Sequence, residues 1–250
     1  MFDFSMSTII QYVLMFPVIL LALSLRGFSR GYVADKLGDP TPRSLGRLTL
    51  NPLKHIDIFG FLFMIFFHFG WTKYLPINAR YFKKPRRDHA LCIAAGPISN
   101  ILLALIFALL LRVEMIFVDL FFQGVFDTTA AIDTGFNMLC VLNYILYMGV
   151  HLNIGLAVFG LLPIPPFDGA RIAYLFLPQK ITYQIVKYEQ YIAIIFLLML
   201  WFVPLVSGLI GTAINGLANG VLSIFGLSLK TAVGQKMQAM LLYLFSSLLV

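Results

Sequence analysis

Between Thr8 and Leu25 the chain carries no charged residue, and the run then meets Arg26-Gly27-Phe28-Ser29-Arg30-Gly31-Tyr32. A run of this length suits a helix crossing a ~30 Å hydrocarbon core, which takes roughly 20 residues. Backbone placed in lipid must satisfy its own polar groups, so it folds as helix or closed barrel. The two arginines are four residues apart, and a helix continuing past Leu25 carries both on one face. Permanent cations at the edge of membrane depth are costly unless each meets a partner or water. The partner predicted from the sequence is Asp168, in Leu161-Leu162-Pro163-Ile164-Pro165-Pro166-Phe167-Asp168-Gly169.

Composition points the same way. Of 250 residues, 60% are hydrophobic and 12% charged, with a mean hydropathy of +0.90. A soluble domain carries about twice that charged fraction. The expectation is an all-α polytopic membrane protein, with residues 1–250 forming a single membrane-embedded domain. The net charge of +7 lies in segments flanking apolar runs. There it faces anionic headgroups and sets topology, and it is not a nucleic-acid signature. Cys92 and Cys140 fall inside apolar runs and supply neither a disulfide framework nor metal-ligand spacing. Met1-Phe2-Asp3-Phe4-Ser5 lacks the basic flank of a signal peptide, so the first span is expected to stay in the mature protein.

Clear spans are predicted at about Ser7–Leu25, His89–Leu111, Phe136–Leu162 and Tyr188–Leu209. The first continues as helix to Leu37, with Gly38 placed to end it. Ile58–Phe69, about a dozen apolar residues, is short for a crossing and reads as a re-entrant or buried segment. Residues 113–135 carry Glu114, Asp119, Asp127 and Asp133 but no Lys or Arg, and read as an acidic loop or short interfacial helix. Gly211–Phe225 and Met237–Val250 are apolar, and the pattern leaves open whether they cross. Trp71, Tyr74 and Tyr81 beside basic residues read as an interfacial belt. Asn51 and Asn100 are expected to brace loops and helices by hydrogen bonds.

Lys and Arg number six in residues 26–57, six in 71–88 and three in 171–187, with none in 113–135 or before the first span. If Ile58–Phe69 does not cross, every basic segment falls on one side, and the positive-inside rule puts that side in the cytoplasm with the N-terminus and acidic segment outside. Arg26, Arg30 and Asp168 come out near the cytoplasmic side.

Several motifs occur in series: Gly38-Asp39-Pro40-Thr41, Gly46-Arg47-Leu48-Thr49-Leu50-Asn51-Pro52-Leu53, His55-Ile56-Asp57, Gly70-Trp71-Thr72-Lys73, Pro76-Ile77-Asn78 and Ala95-Gly96-Pro97-Ile98-Ser99-Asn100. With the proline-rich segment before Asp168, they resemble the bacterial site-2 protease family of intramembrane zinc metalloproteases. The resemblance covers about residues 10–175. It implies a transmembrane core of about four to six helices and residence in the bacterial plasma membrane. It also implies a zinc site built from H-E-x-x-H, whose histidines bind metal while the glutamate activates water. The family's third ligand is the aspartate of the later motif, and an asparagine at that motif's start positions substrate.

By that resemblance, Arg26 and Arg30 stand at the histidine positions, Gly27 at the glutamate and Gly160 at the asparagine, while Asp168 is retained. Pro163, Pro165, Pro166 and Asn100 fall in the substrate cleft. Tyr74 replaces a proline usual in the family. Guanidinium offers no lone pair to a metal, one carboxylate is short of the three protein ligands of a catalytic zinc, and glycine is no general base. His55, His68, His89 and His151 are scattered without metal-ligand spacing. No zinc or other cofactor is therefore expected.

Zinc with one aspartate carries the same net charge as two arginines with one aspartate, so an ion-pair strut of Arg26, Arg30 and Asp168 is expected in its place. The favoured function is a pseudoprotease that sits in the lipid bilayer and binds or regulates transmembrane helices of other proteins. The alternatives are an active intramembrane zinc metalloprotease and a small anion-binding transporter or channel.

Overall fold

The computed structural model describes residues 6–57, 73, 75–122, 129–165, 167–228 and 231–247. Their helices are α1 (Met6–Lys36), α2 (Thr41–Ser44), α3 (Pro85–Phe122), α4 (Thr129–Leu161), α5 (Asp168–Ala173), α6 (Gln179–Lys187), α7 (Glu189–Phe202), α8 (Pro204–Ile224) and α9 (Ala232–Ser247). Single 3-10 turns lie at Pro52–Lys54 and Ala79–Tyr81, and no β-strand occurs among the described residues. Four helices are long and apolar enough to cross a membrane: Ile9–Lys36, Pro85–Leu120, Gly135–Leu161 and Pro204–Ile224. The pair α6 and α7, bent by 64°, makes a fifth if the two count as one span. The fold is an all-α polytopic membrane protein.

Several boundaries differ from expectation. The second span does not stop at Leu111, because α3 continues to Phe122 and takes Glu114 and Asp119 with it. Residues 98–122 contain no glycine or proline to end a helix, and Glu114 finds a buried partner instead of needing a loop. The third span likewise begins earlier, at Thr129. The span expected at Tyr188–Leu209 is broken. Val203 is extended (φ −113°, ψ 96°) and Pro204 opens α8, since the residue before proline is driven from helical geometry. The stretch from Gly211 to Ile224 belongs to α8, and Met237 to Ser247 to α9. The run Ile58–Phe69, Trp71, Tyr74 and Pro166 lie outside the described residues. Tyr81 is exposed.

The chain divides into two compact units. One comprises Met1–Ile19, Leu102–Asn153 and Asn215–Val250. Leu111, Met115 and Val118 of α3, Cys140 and Val150 of α4, and Met237 of α9 are buried there. The other comprises Leu20–Ile101 and Ile154–Ile214. Ala34, Phe82 and Cys92 form one of its cores, with Val33, Leu37, Ile77 and Ala79 packed around them.

In this second unit α1 ends at Gly38, whose φ of +108° suits a residue without Cβ. Asp39 follows and is fully buried. Its carboxylate accepts from the Thr41 amide at 3.0 Å and the Asn78 amide at 2.7 Å, pinning the loop before α3 to the end of α1. Asn51 and Asn78 cap the two 3-10 turns, accepting from Leu53 N and Arg80 N. Asp39→Ala strips acceptors from two backbone donors, each a penalty of about 1–3 kcal/mol. The variant should melt several degrees lower in detergent, and an unchanged melting curve would show that the carboxylate does not hold this loop.

Candidate functional site

Helix α1 runs unbroken through residues 26–30, which sets Arg26 and Arg30 one turn apart on the same face. Helix α3 meets this face at Gly96. A Cβ there would lie 3.2 Å from both Arg26 Cγ and Arg30 Cδ, so glycine gives the two arginine stems their room. Near the end of α4, a Cβ on Gly160 would stand 2.5 Å from Arg26 Nη2 and 3.0 Å from Pro97 Cγ. The guanidinium of Arg26 therefore fills space that any larger residue at 160 would claim.

Asp168 opens α5, directly after the proline-rich segment. The chain turns so tightly here that a Cβ on Gly169 would overlap the Leu161 carbonyl. This turn delivers the Asp168 carboxylate to α1. Asp168 Oδ2 lies 2.7 Å from Arg26 Nη2, and Oδ1 lies 3.1 Å from Arg30 Nη1. Arg26 Nη1 also donates to the Leu156 carbonyl at 2.8 Å, tying the cluster to α4. The three side chains are about nine-tenths buried, at 11%, 11% and 10% exposure. Charge-assisted bonds of this length are the strong ones among protein hydrogen bonds.

At Gly27, between Arg26 and Arg30, α1 has no side chain at all. A Cβ on Gly27 would overlap His55 Nδ1 and stand 2.9 Å from His55 Cγ. The imidazole is buried against the helix, and its Nε2–H donates to the Thr49 carbonyl at 2.7 Å. Burial lowers the His55 pKa, only partly offset by that hydrogen bond, and the nearby positive charge of Arg47 lowers it further. His55 is thus a neutral packing group. His151 Nδ1 is 3.1 Å from the Tyr147 carbonyl one turn back, and its ring packs on the Tyr147 ring.

The structure brings Arg26, Arg30, Gly160 and Asp168 together and seats Gly27 beside them on α1. Of the expected cleft residues, Asn100 is buried one turn beyond Gly96, Pro165 is buried and Pro163 is exposed. The sequence pointed to a close helix approach at Ala94-Ala95-Gly96 but not to the arginine stems that Gly96 admits, nor to the fit of His55 against Gly27.

The model of peptidase family M50 matches residues 31–203, beginning one residue after Arg30. The chain belongs to the site-2 protease family. Among its relatives is "Putative zinc metalloprotease YwhC" of Bacillus subtilis (strain 168). It is 35% identical over 208 residues, which cover 83% of this chain and 88% of the relative. No solved structure matches the chain. Helices α1, α4 and α5 meet at Asp168. Here both oxygens of its carboxylate are engaged by guanidinium groups. Among the described residues, no three His, Cys, Asp or Glu side chains converge so that they could hold a metal ion.

Breaking a buried ion pair by removing one partner costs about 3–5 kcal/mol, because it strands the other charge. Asp168→Ala strands two. It should express poorly or melt well below the parent in detergent, whereas Arg26→Met, Arg30→Met and Asp168→Leu combined should cost less than the single change. A triple variant weaker than Asp168→Ala would mean that the arginines stabilise the fold by packing alone.

Proposed function

We propose that this site-2 protease family member is a pseudoprotease: a membrane protein that keeps the family's fold and binds or regulates transmembrane segments of other proteins without cleaving them. The observation that carries this reading is the pairing of Asp168 with two arginines four residues apart on α1. The family's zinc does not fit this donor set. Neither guanidinium has a lone pair to give, and both carboxylate oxygens are already taken. Gly27 supplies no base, and its place is occupied by His55. The relative's name speaks of zinc metalloprotease activity, and at this junction the donor set argues against carrying that activity over.

The residues around the replaced positions are fitted to them. Arg26 needs Gly160 and Gly96 beside it, and His55 needs Gly27. An ion-pair strut in place of a metal centre keeps α1, α4 and α5 joined with the same net charge.

The charge distribution supports an orientation. The unit containing the ion-pair cluster holds fifteen Lys and Arg against six Asp and Glu, while the other holds three against five. We place the loops of the unit with the ion-pair cluster in the cytoplasm of a plasma membrane, with the N-terminus outside. Single cysteines near Lys84 should then react with an impermeant maleimide only from the cytoplasm, and those near Asp127 only from outside. Outside labelling at both positions would overturn this orientation.

Metal analysis tests the central reading. Purified protein should hold far less than one zinc per chain and leave transmembrane substrates intact. Zinc at one per chain, lost to chelator together with proteolysis, would sink the proposal. Arg26→His with Arg30→His frees Asp168 and supplies two imidazoles one turn apart, and this double variant should gain zinc. Adding Gly27→Glu should lower its melting temperature, because the new side chain displaces His55. Failure of the double variant to bind zinc would show that the junction is no longer shaped as an inherited metal site.

A further inference from the structure

The unit without the ion-pair cluster contains a buried polar pair of its own. Glu114 on α3 and Asn143 on α4 are 3% and 0% exposed. Asn143 Nδ2 donates to Glu114 Oε2 at 3.1 Å and lies 3.4 Å from Met115 Sδ. The second oxygens of both side chains, Glu114 Oε1 and Asn143 Oδ1, are buried and meet no donor among the described residues.

Among the described residues no Lys, Arg or His forms an ion pair with the carboxyl. Arg112, two residues earlier, forms no ion pair with it, and Asp119, further along α3, is engaged by Lys236 at 2.5 Å. Cys140, three residues before Asn143 and also buried, is the titratable neighbour on α4. An ionised Glu114 would leave a buried charge and two buried acceptor oxygens without protein donors among the described residues. One proton on Oε1 cures all three deficits. It neutralises the carboxyl, gives Oε1 a hydrogen and offers Asn143 Oδ1 the donor it lacks. A metal cation suits the place less well. Hard cations take six or more oxygen ligands, and this pocket offers three oxygens and a thioether.

We propose that Glu114 and Asn143 form a proton-binding site, in which Glu114 is protonated at neutral pH and shares that proton with Asn143 in a two-bond ring clasping α3 to α4. The proton comes from water and returns to it, and no heavy-atom bond changes. Ionisation opens the ring and leaves a single hydrogen bond. The clasp is independent of the reading given for Arg26, Arg30 and Asp168, since none of those residues takes part.

The chain has two glutamates, Glu114 and Glu189, so labelling glutamate carboxyls with 13C yields two signals from the full-length protein in liposomes. At pH 7 one signal should have the shift of a protonated carboxyl and the other that of a carboxylate. The protonated signal should be absent from E114Q, whose amide can make both bonds of the ring and should preserve the fold. Two ionised carboxyls at pH 7 would overturn the proposal, whether or not the variant folds.

Stability gives a second readout with a definite sign. Above about pH 4.3 the unfolded glutamate loses its proton while the folded one keeps it. The unfolding constant of the parent should therefore rise up to tenfold per pH unit relative to E114Q, until Glu114 ionises in the folded state. Parallel pH profiles for parent and E114Q would equally overturn the proposal.

Discussion

One carboxylate answering two cations is the constraint around which the ion-pair unit is arranged. Asp168 can reach Arg26 and Arg30 together only because α1 is continuous through both and α5 begins in a turn that glycine permits. Removing the residues from water is costly for every one of the three charges, and the mutual bonds repay it only while their geometry holds. Gly96 and Gly160 serve that geometry by absence, leaving the volume that the arginine stems and one guanidinium occupy.

This arrangement explains why the replaced positions behave as a group. A side chain larger than glycine at 160 conflicts with Arg26, and one at 27 conflicts with His55, although these positions lie far apart in sequence. A side chain restored at 27 would meet His55, and one restored at 160 would meet Arg26 and Pro97. The proposed loss of catalysis is thus embedded in the packing and reaches beyond the metal ligands. The family model's match, starting immediately after Arg30 and running to residue 203, follows the scaffold rather than this segment.

The helical membrane fold was legible because apolar runs of span length leave few other choices. The four-residue spacing of Arg26 and Arg30 was legible too, since helix periodicity alone puts them on one face. Asp168 was singled out by its place after the prolines. Glu114 and Asp119 misled, because charged residues after an apolar run imitate the end of a span. Their place on α3 depends on Asn143 and Lys236, which are 29 and 117 residues away. The break at Val203 was signalled by Pro204 yet hidden by the hydrophobicity on both sides. The seating of His55 on Gly27 had no local signal, being a contact between a loop and a helix that only the folded chain creates.

The break between α7 and α8 has a consequence for the lipid around the protein. Helix α7 has 14 residues and stands at 64° to α6. At 1.5 Å per residue it rises about 21 Å, short of a ~30 Å hydrocarbon core. Trp201, Phe202 and Leu205 are exposed beside the break, and Pro204 brings no amide hydrogen to the last turn of α7. An apolar helix shorter than the hydrocarbon core is accommodated by thinner lipid, by flanking residues that reach the interface or by association with other helices. Wherever α7 alone faces hydrocarbon, the lipid, the exposed aromatic side chains at the break or a neighbouring helix has to make up that difference in length.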